Sequence, residues 1–174
     1  EYFSGDLFMA YKDFGPTPSP FDSWLNSFSL QDLGLRVKAQ TETAKKLAIF
    51  LENHPMIDHI YYPGLSSHPQ HKLSKKQMRE PGAMIAFELK GGFDAGVKLM
   101  NYFAGHDTPM ELAVSLGSVI TYIEHPASMT HGGIPEEDRL KRGITNSLVR
   151  LSVGAEGFTI LRDALDYGLH LAQE

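Results

Sequence analysis

Apolar residues recur at helical spacing along the first third of the chain, at Leu30, Leu33, Val37, Ala44, Leu47 and Leu51. A helix gathers positions three and four apart on one face, so this spacing predicts a long amphipathic helix over 30–51. Asn53-His54-Pro55 ends it, because a proline ring disfavours helix in the residue before it. The pattern then changes character. Residues 57–62, Ile-Asp-His-Ile-Tyr-Tyr, are rich in β-branched and aromatic side chains and predict a strand closed by the turn pair Pro63-Gly64.

Pro69 suits a helix start, and 70–78 follows as a short helix. Residues 83–89 predict a second strand, Gly91-Gly92 a turn and 93–103 a helix. Further short strands are expected over 110–115 and 148–153. Pro135 followed by Glu136, Glu137 and Asp138 marks a helix N-terminus, where acidic groups meet the positive end of the dipole. Phe158, Leu161, Leu165 and Leu169 predict a last helix over 158–171. Strands separated by helices imply a two-layer α/β domain, one sheet with helices on one face. Its other face would need a cover from outside this chain or from the N-terminal arm.

Composition narrows the class. Net charge is −5 with no block of like charges, which argues against nucleic acid. No apolar run approaches the roughly 20 residues of a membrane span. The chain has no cysteine, hence no disulfide framework and no thiolate metal site, which suits a reducing cytoplasm. Residue 1 is Glu, and the alternating prolines of Gly15-Pro16-Thr17-Pro18-Ser19-Pro20 read as a stiff linker. The expected division is an arm and linker over 1–20 and a domain over 21–174.

Arg150 is the first candidate for chemistry. Alternation along 148–153 puts Val149, Leu151 and Val153 on one face and Leu148, Arg150 and Ser152 on the other. An arginine fork in a cleft suits a carboxylate held bidentately, but the pattern alone fits an ion pair across a domain boundary at least as well. Ser115-Leu116-Gly117 lies just past a strand end, where small residues let a backbone approach a ligand; a plain turn explains it equally. The stretch 124–131 holds His125, Thr130 and His131, and reads as a loop with ordered hydroxyls near a ligand. Histidines six apart around a proline share no helix face, so no metal site is expected. His68 and His71 read as solvated.

Several segments go further together. They are Ser19-Pro20-Phe21-Asp22; Tyr61-Tyr62-Pro63-Gly64-Leu65 with Ser67-His68-Pro69-Gln70-His71; Pro81-Gly82-Ala83-Met84-Ile85-Ala86-Phe87; Ala113-Val114-Ser115-Leu116-Gly117; His125-Pro126-Ala127-Ser128-Met129-Thr130-His131; and Leu148-Val149-Arg150-Leu151-Ser152-Val153-Gly154. In this order and spacing the chain resembles the C-terminal part of the γ-family of pyridoxal-phosphate enzymes, which includes methionine γ-lyases, cystathionine γ-lyases, cystathionine γ-synthases and O-acetylhomoserine sulfhydrylases. The resemblance implies the small domain of a fold-type I enzyme, with a mainly antiparallel sheet. It implies γ-elimination on methionine or cystathionine, or γ-replacement as the alternative, in a cytoplasmic homotetramer. Arg150 matches the arginine that meets the substrate α-carboxylate; Ser115, the backbone at Leu116 and Thr130 match residues lining the same pocket. The lysine that carries pyridoxal phosphate belongs to a large domain upstream, so this chain alone is expected to be inactive.

Departures are equally informative. Phe28-Ser29 stands where the family has Arg-Gly, Ile120-Thr121-Tyr122 replaces a stretch that commonly carries an acid, 104–109 reads as an insertion, and 1–14 matches poorly. These motivate a further alternative, a non-catalytic interaction module retaining the small domain. Val114 stands where many cystathionine enzymes have glutamate, which favours methionine as substrate.

Overall fold

The computed structural model describes residues 5–105 and 107–173; residues 1–4 of the arm, His106 within the expected insertion, and Glu174 lie outside the described residues. The chain divides into two compact units, Glu1–Leu35 and Arg36–Glu174. The first holds α1 (Asp6–Phe14), which the hydrophobic pattern did not reveal, and α2 (Pro20–Ser29). The end of the expected linker is the start of α2. Ser19 accepts the Asp22 amide at 3.1 Å and Pro20 takes the first helical position, where its missing N–H costs nothing. Phe21, Trp24 and Phe28 stack along one exposed face of α2, with successive ring centroids 5.9 Å apart.

The boundary falls within α3 (Leu33–Glu52), which buries only its later turns, in the second unit, through Ala44, Leu47, Ala48 and Leu51. Leu33 and Val37, counted above as part of its apolar face, stay exposed. Five strands follow: β1 (Ile57–Tyr61), β2 (Met84–Leu89), β3 (Met110–Leu112), β4 (Thr121–Glu124) and β5 (Leu148–Ser152). Between them lie α4 (His71–Gln77), α5 (Gly92–Gly105) and α6 (Glu136–Lys141), and α7 (Phe158–Leu171) completes the unit. The sheet order is β1-β2-β5-β4-β3, antiparallel throughout except for the β3–β4 pair.

Alternation decides which sheet face is buried. Ile85, Phe87, Val149, Leu151 and Ile123 pack into one core with Leu47 and Leu51 of α3, Leu99 and Phe103 of α5, and Leu161 and Leu165 of α7. Each such side chain contributes about 1.5–3 kcal/mol when fully buried. The helices back one face, as the strand–helix alternation implied. On the other, Met84, Ala86, Glu88, Leu148 and Arg150 are only half-buried.

Two expectations need correction at the sheet edge. The strand over 110–115 stops at Leu112, and Thr121–Glu124 forms a strand that was not foreseen. One geometry explains both. Met110 pairs with Thr121 and Leu112 with Ile123 in parallel, so the chain must return to its starting level between them. Parallel neighbours usually need about a dozen residues or more to cross over. Because these strands are so short, the segment 113–120 suffices, and it leaves the sheet early to double back.

Candidate active site

The returning segment 113–120 brings its carbonyls to Arg150. Nη2 of Arg150 donates to the Val114 carbonyl at 3.1 Å and to the Ser115 carbonyl at 3.3 Å. On the adjacent strand Glu124 stands directly opposite Arg150 in the β4–β5 register, and Glu124 Oε1 lies 2.9 Å from Nε. The Arg150 side chain is 30% exposed and that of Glu124 only 2%. Among the described residues Nη1 makes no hydrogen bond, so this end of the fork is the one free to meet a ligand. The ion pair considered for Arg150 therefore exists, within the domain and on one edge of the guanidinium. The β-forming content of Thr121, Tyr122 and Ile123 is a faint signal of the strand, and only its register with β5 sets Glu124 on the Arg150 face.

The segment is held from behind. Glu156 accepts the Thr121 amide at 2.5 Å and the Thr121 hydroxyl at 2.8 Å, while that hydroxyl accepts the Gly154 amide at 2.8 Å. The Ala155 amide donates to the Val119 carbonyl at 2.7 Å, Gln40 of α3 donates to the Ser118 carbonyl at 2.6 Å, and the Gly117 amide donates to the Ser152 hydroxyl at 3.1 Å. Gly154 is required for this approach, because a Cβ there would stand 2.4 Å from the Val119 carbonyl oxygen. No motif pointed to Glu156 or Gln40; their partners, two of them backbone groups and one the Thr121 hydroxyl, lie far away in sequence.

The candidates named from sequence separate. Ser115 binds Arg150 through its carbonyl and is exposed, as is Leu116. Thr130 is exposed, and its hydroxyl pairs with His131 Nδ1 at 2.9 Å; no hydrogen bond links it to Arg150. The polar stretch around it is built chiefly for structure. His125 is fully buried, its Nε2 donates to the Asn146 carbonyl at 2.8 Å, and Nδ1 faces the Ser128 hydroxyl at 2.9 Å. Burial pulls its pKa below the ordinary histidine value, the Asn146 carbonyl opposes that, and nearby Arg139 adds to it. His68 and His71 are half-buried rather than solvated, and His71 Nδ1 donates to the Pro63 carbonyl at 2.8 Å.

Two other features lie apart from Arg150. His54, Asp166 and His170 offer atoms close enough together for a metal ion. However, His54 Nδ1 accepts the Met56 amide at 3.2 Å, so in the neutral ring Nε2 carries the proton, directed at Asp166 Oδ1 3.1 Å away. That is a hydrogen-bonded couple rather than an open ligand. A cleft of about 630 Å³ lined by Lys45, His71, Arg79 and Glu80 shares no residue with the Arg150 site. The lysines with described bonds are engaged elsewhere: Lys45 with Glu80, Lys90 with the Pro55 carbonyl and Lys141 with Asp138. The free end of the Arg150 guanidinium is suited to the carboxylate end of an amino acid.

Fold and site define an α/β domain whose helices back one sheet face while an anchored arginine stands on the other. Residues 2–170 match the family described as Cys/Met metabolism PLP-dependent enzyme, where PLP is pyridoxal phosphate, and the chain belongs to that family. It is 48% identical over 155 residues to an L-methionine γ-lyase of Porphyromonas gingivalis, covering 89% of this chain and 38% of that protein. It is 42% identical over 151 residues to a cystathionine γ-lyase of Bacillus subtilis, covering 87% of this chain and 38% of the relative. A crystal structure of cystathionine γ-synthase from Xanthomonas oryzae pv. oryzae, in complex with aminoacrylate and cysteine, superposes with a TM-score of 0.84 at 40% identity. That match covers 96% of this chain and 42% of the synthase. The chain therefore spans about two fifths of the length of these relatives. Its match begins at residue 2, so the segment 1–14, expected to match poorly, falls almost wholly within it.

Proposed function

We propose that this chain is the substrate-side part of a pyridoxal-phosphate-dependent carbon–sulfur lyase that performs γ-elimination on a sulfur amino acid, methionine first and cystathionine second. The observation that carries the reading is the anchored Arg150, with Nη1 uncommitted among the described residues, in a chain of this family. Arg150 receives the α-carboxylate. Ser115 and the backbone at Leu116 line the same pocket, with Thr130 at its border. Holding the carboxylate fixes the rotation of the substrate about its α-carbon, which selects the bond that reacts. When bound by the remainder of the protein, pyridoxal phosphate supplies the electron sink for that chemistry. The cofactor lysine belongs in this proposal to the part of the relatives' length that this chain does not span, so the chain alone is inactive.

Val114 favours methionine. It is exposed at the tip of the returning segment, and it presents an apolar side chain where a charged one would suit a second polar end of the substrate. The similarity to a cystathionine γ-synthase and to an O-succinylhomoserine sulfhydrylase of Pseudomonas aeruginosa supports γ-replacement as the second reading. The decisive assay uses the full-length protein with pyridoxal phosphate. Release of 2-oxobutanoate and thiol from methionine or cystathionine is expected; turnover only of an O-acylhomoserine with added thiol would favour replacement. A correctly folded protein that turns over none of them would be read as a non-catalytic interaction module. The proposal includes a cytoplasmic homotetramer, which rests on the family resemblance and is checked by light scattering and cell fractionation.

A further inference from the structure

We propose that Glu124 is a positioning residue that sets both the pose of Arg150 and the strength with which it holds a substrate carboxylate. This rests on the reading of Arg150 as the carboxylate ligand. The β4–β5 register brings the two residues face to face, and such directly opposed pairs have Cβ atoms about 4.5–5.5 Å apart. Glu124 Oε1 meets Nε at 2.9 Å and the Val114 and Ser115 carbonyls hold Nη2, so the edge of the fork formed by Nε and Nη2 is taken by an anion at one nitrogen and by carbonyls at the other. A substrate carboxylate is therefore directed to Nη1 rather than to the fork as a whole.

The charge balance follows from the same geometry. Glu124 and Arg150 together are neutral, so an arriving carboxylate meets a compensated pair instead of a bare cation. Glu124 Oε2 is buried and has no hydrogen-bond partner among the described residues. Among the described residues no donor other than the guanidinium spreads its charge, and its repulsion of an incoming carboxylate is correspondingly little reduced. Glu124 thus weakens carboxylate binding while it fixes the orientation of the arginine. A site built this way releases its product readily and still orients its substrate, because the two tasks fall to different edges of one side chain.

The test uses the full-length holoenzyme, with glycine as an unreactive carboxylate ligand and ethylamine as a control that lacks the carboxylate. Glu124→Gln keeps an oxygen for Nε and removes the charge. It should tighten glycine about tenfold, the scale of losing one repulsive charge a few ångströms away in a partly buried site, and leave ethylamine unchanged. Glu124→Leu removes the hold as well, and kcat should fall at least tenfold where Gln preserves it. Unchanged glycine affinity and kcat in both folded variants would overturn the proposal. If Arg150→Ala also leaves glycine binding intact, the reading of Arg150 itself has failed; if it abolishes glycine binding while the Glu124 variants do nothing, only the role of Glu124 has. Should Glu124→Leu not fold, the glycine and ethylamine titrations on Glu124→Gln still decide.

Discussion

Glu156 grips Thr121 twice, through its amide and through its hydroxyl, across a separation of 35 residues. A carboxylate satisfying two donors at a strand start is a charge-assisted clamp, and bonds of this kind are individually worth about 1.5–3 kcal/mol. Because Thr121 begins β4, the clamp fixes where the returning segment rejoins the sheet. Glu156→Ala is expected to cost about 2–3 kcal/mol in denaturant unfolding of the full-length protein, which fits the upper part of that range for a half-buried group. It should also lower kcat. Wild-type stability in the variant would show that the bonds contribute nothing net.

Gly154→Ala tests the same corner sterically. The added methyl would meet backbone oxygen at 2.4 Å and the Glu156 carboxylate at 2.5 Å, and the former has no rotamer by which to move aside. We expect a loss of about 1–3 kcal/mol, typical of overpacking, seen as a lower Tm. An unchanged Tm would mean that the corner opens at no cost.

His125 makes a prediction about pH. Its pKa is lowered in the fold, so near and below the ordinary value of about 6.5 the unfolded chain binds more protons than the native one. Stability is therefore full above that pH and declines as pH falls through it, by at most about 1.4 kcal/mol per pH unit from this group. Unfolding free energies measured from pH 8 to 5 should show the decline, and His125→Gln should flatten its contribution while lowering stability at neutral pH. A variant with the wild-type slope would exclude His125 as the cause.

Arg150→Lys retains a charge but loses the planar fork that Glu124 and the two carbonyls hold. We expect a loss of about 1–3 kcal/mol in transition-state binding, read from kcat/KM of the full-length enzyme. Unaltered kcat/KM would assign Arg150 a purely structural part.

How much of this could be read from the residues alone varied with the range of the interactions. Periodicity located α7 and, within a residue or two, β1, β2 and α5, because those patterns reflect local burial. It overestimated the buried face of α3, where Leu33 and Val37 follow the helical spacing yet remain exposed. It missed β4 because the strand is short and its two faces are both largely buried, which erases alternation. Motif order singled out Arg150 and Ser115, which the structure brings within hydrogen-bond distance of each other. Glu124 was visible only as one polar residue in a busy stretch, since its significance comes from a strand pairing with a residue 26 positions later. Gln40 acts on a backbone carbonyl and Glu156 on an amide and a hydroxyl 35 residues away, and partners of that kind leave no local pattern in a sequence.

The segment 113–120 hydrogen-bonds Arg150 through the carbonyl oxygens of Val114 and Ser115. Any residue that can adopt the same backbone conformation presents the same main-chain oxygen. The side chains of Val114 and Leu116 are thus free to change while the arginine keeps its seat. The backbone of this segment thus does the holding, and its side chains are left to vary. Substitutions can accumulate there, one residue at a time, without first dismantling the hydrogen bonds that hold Arg150.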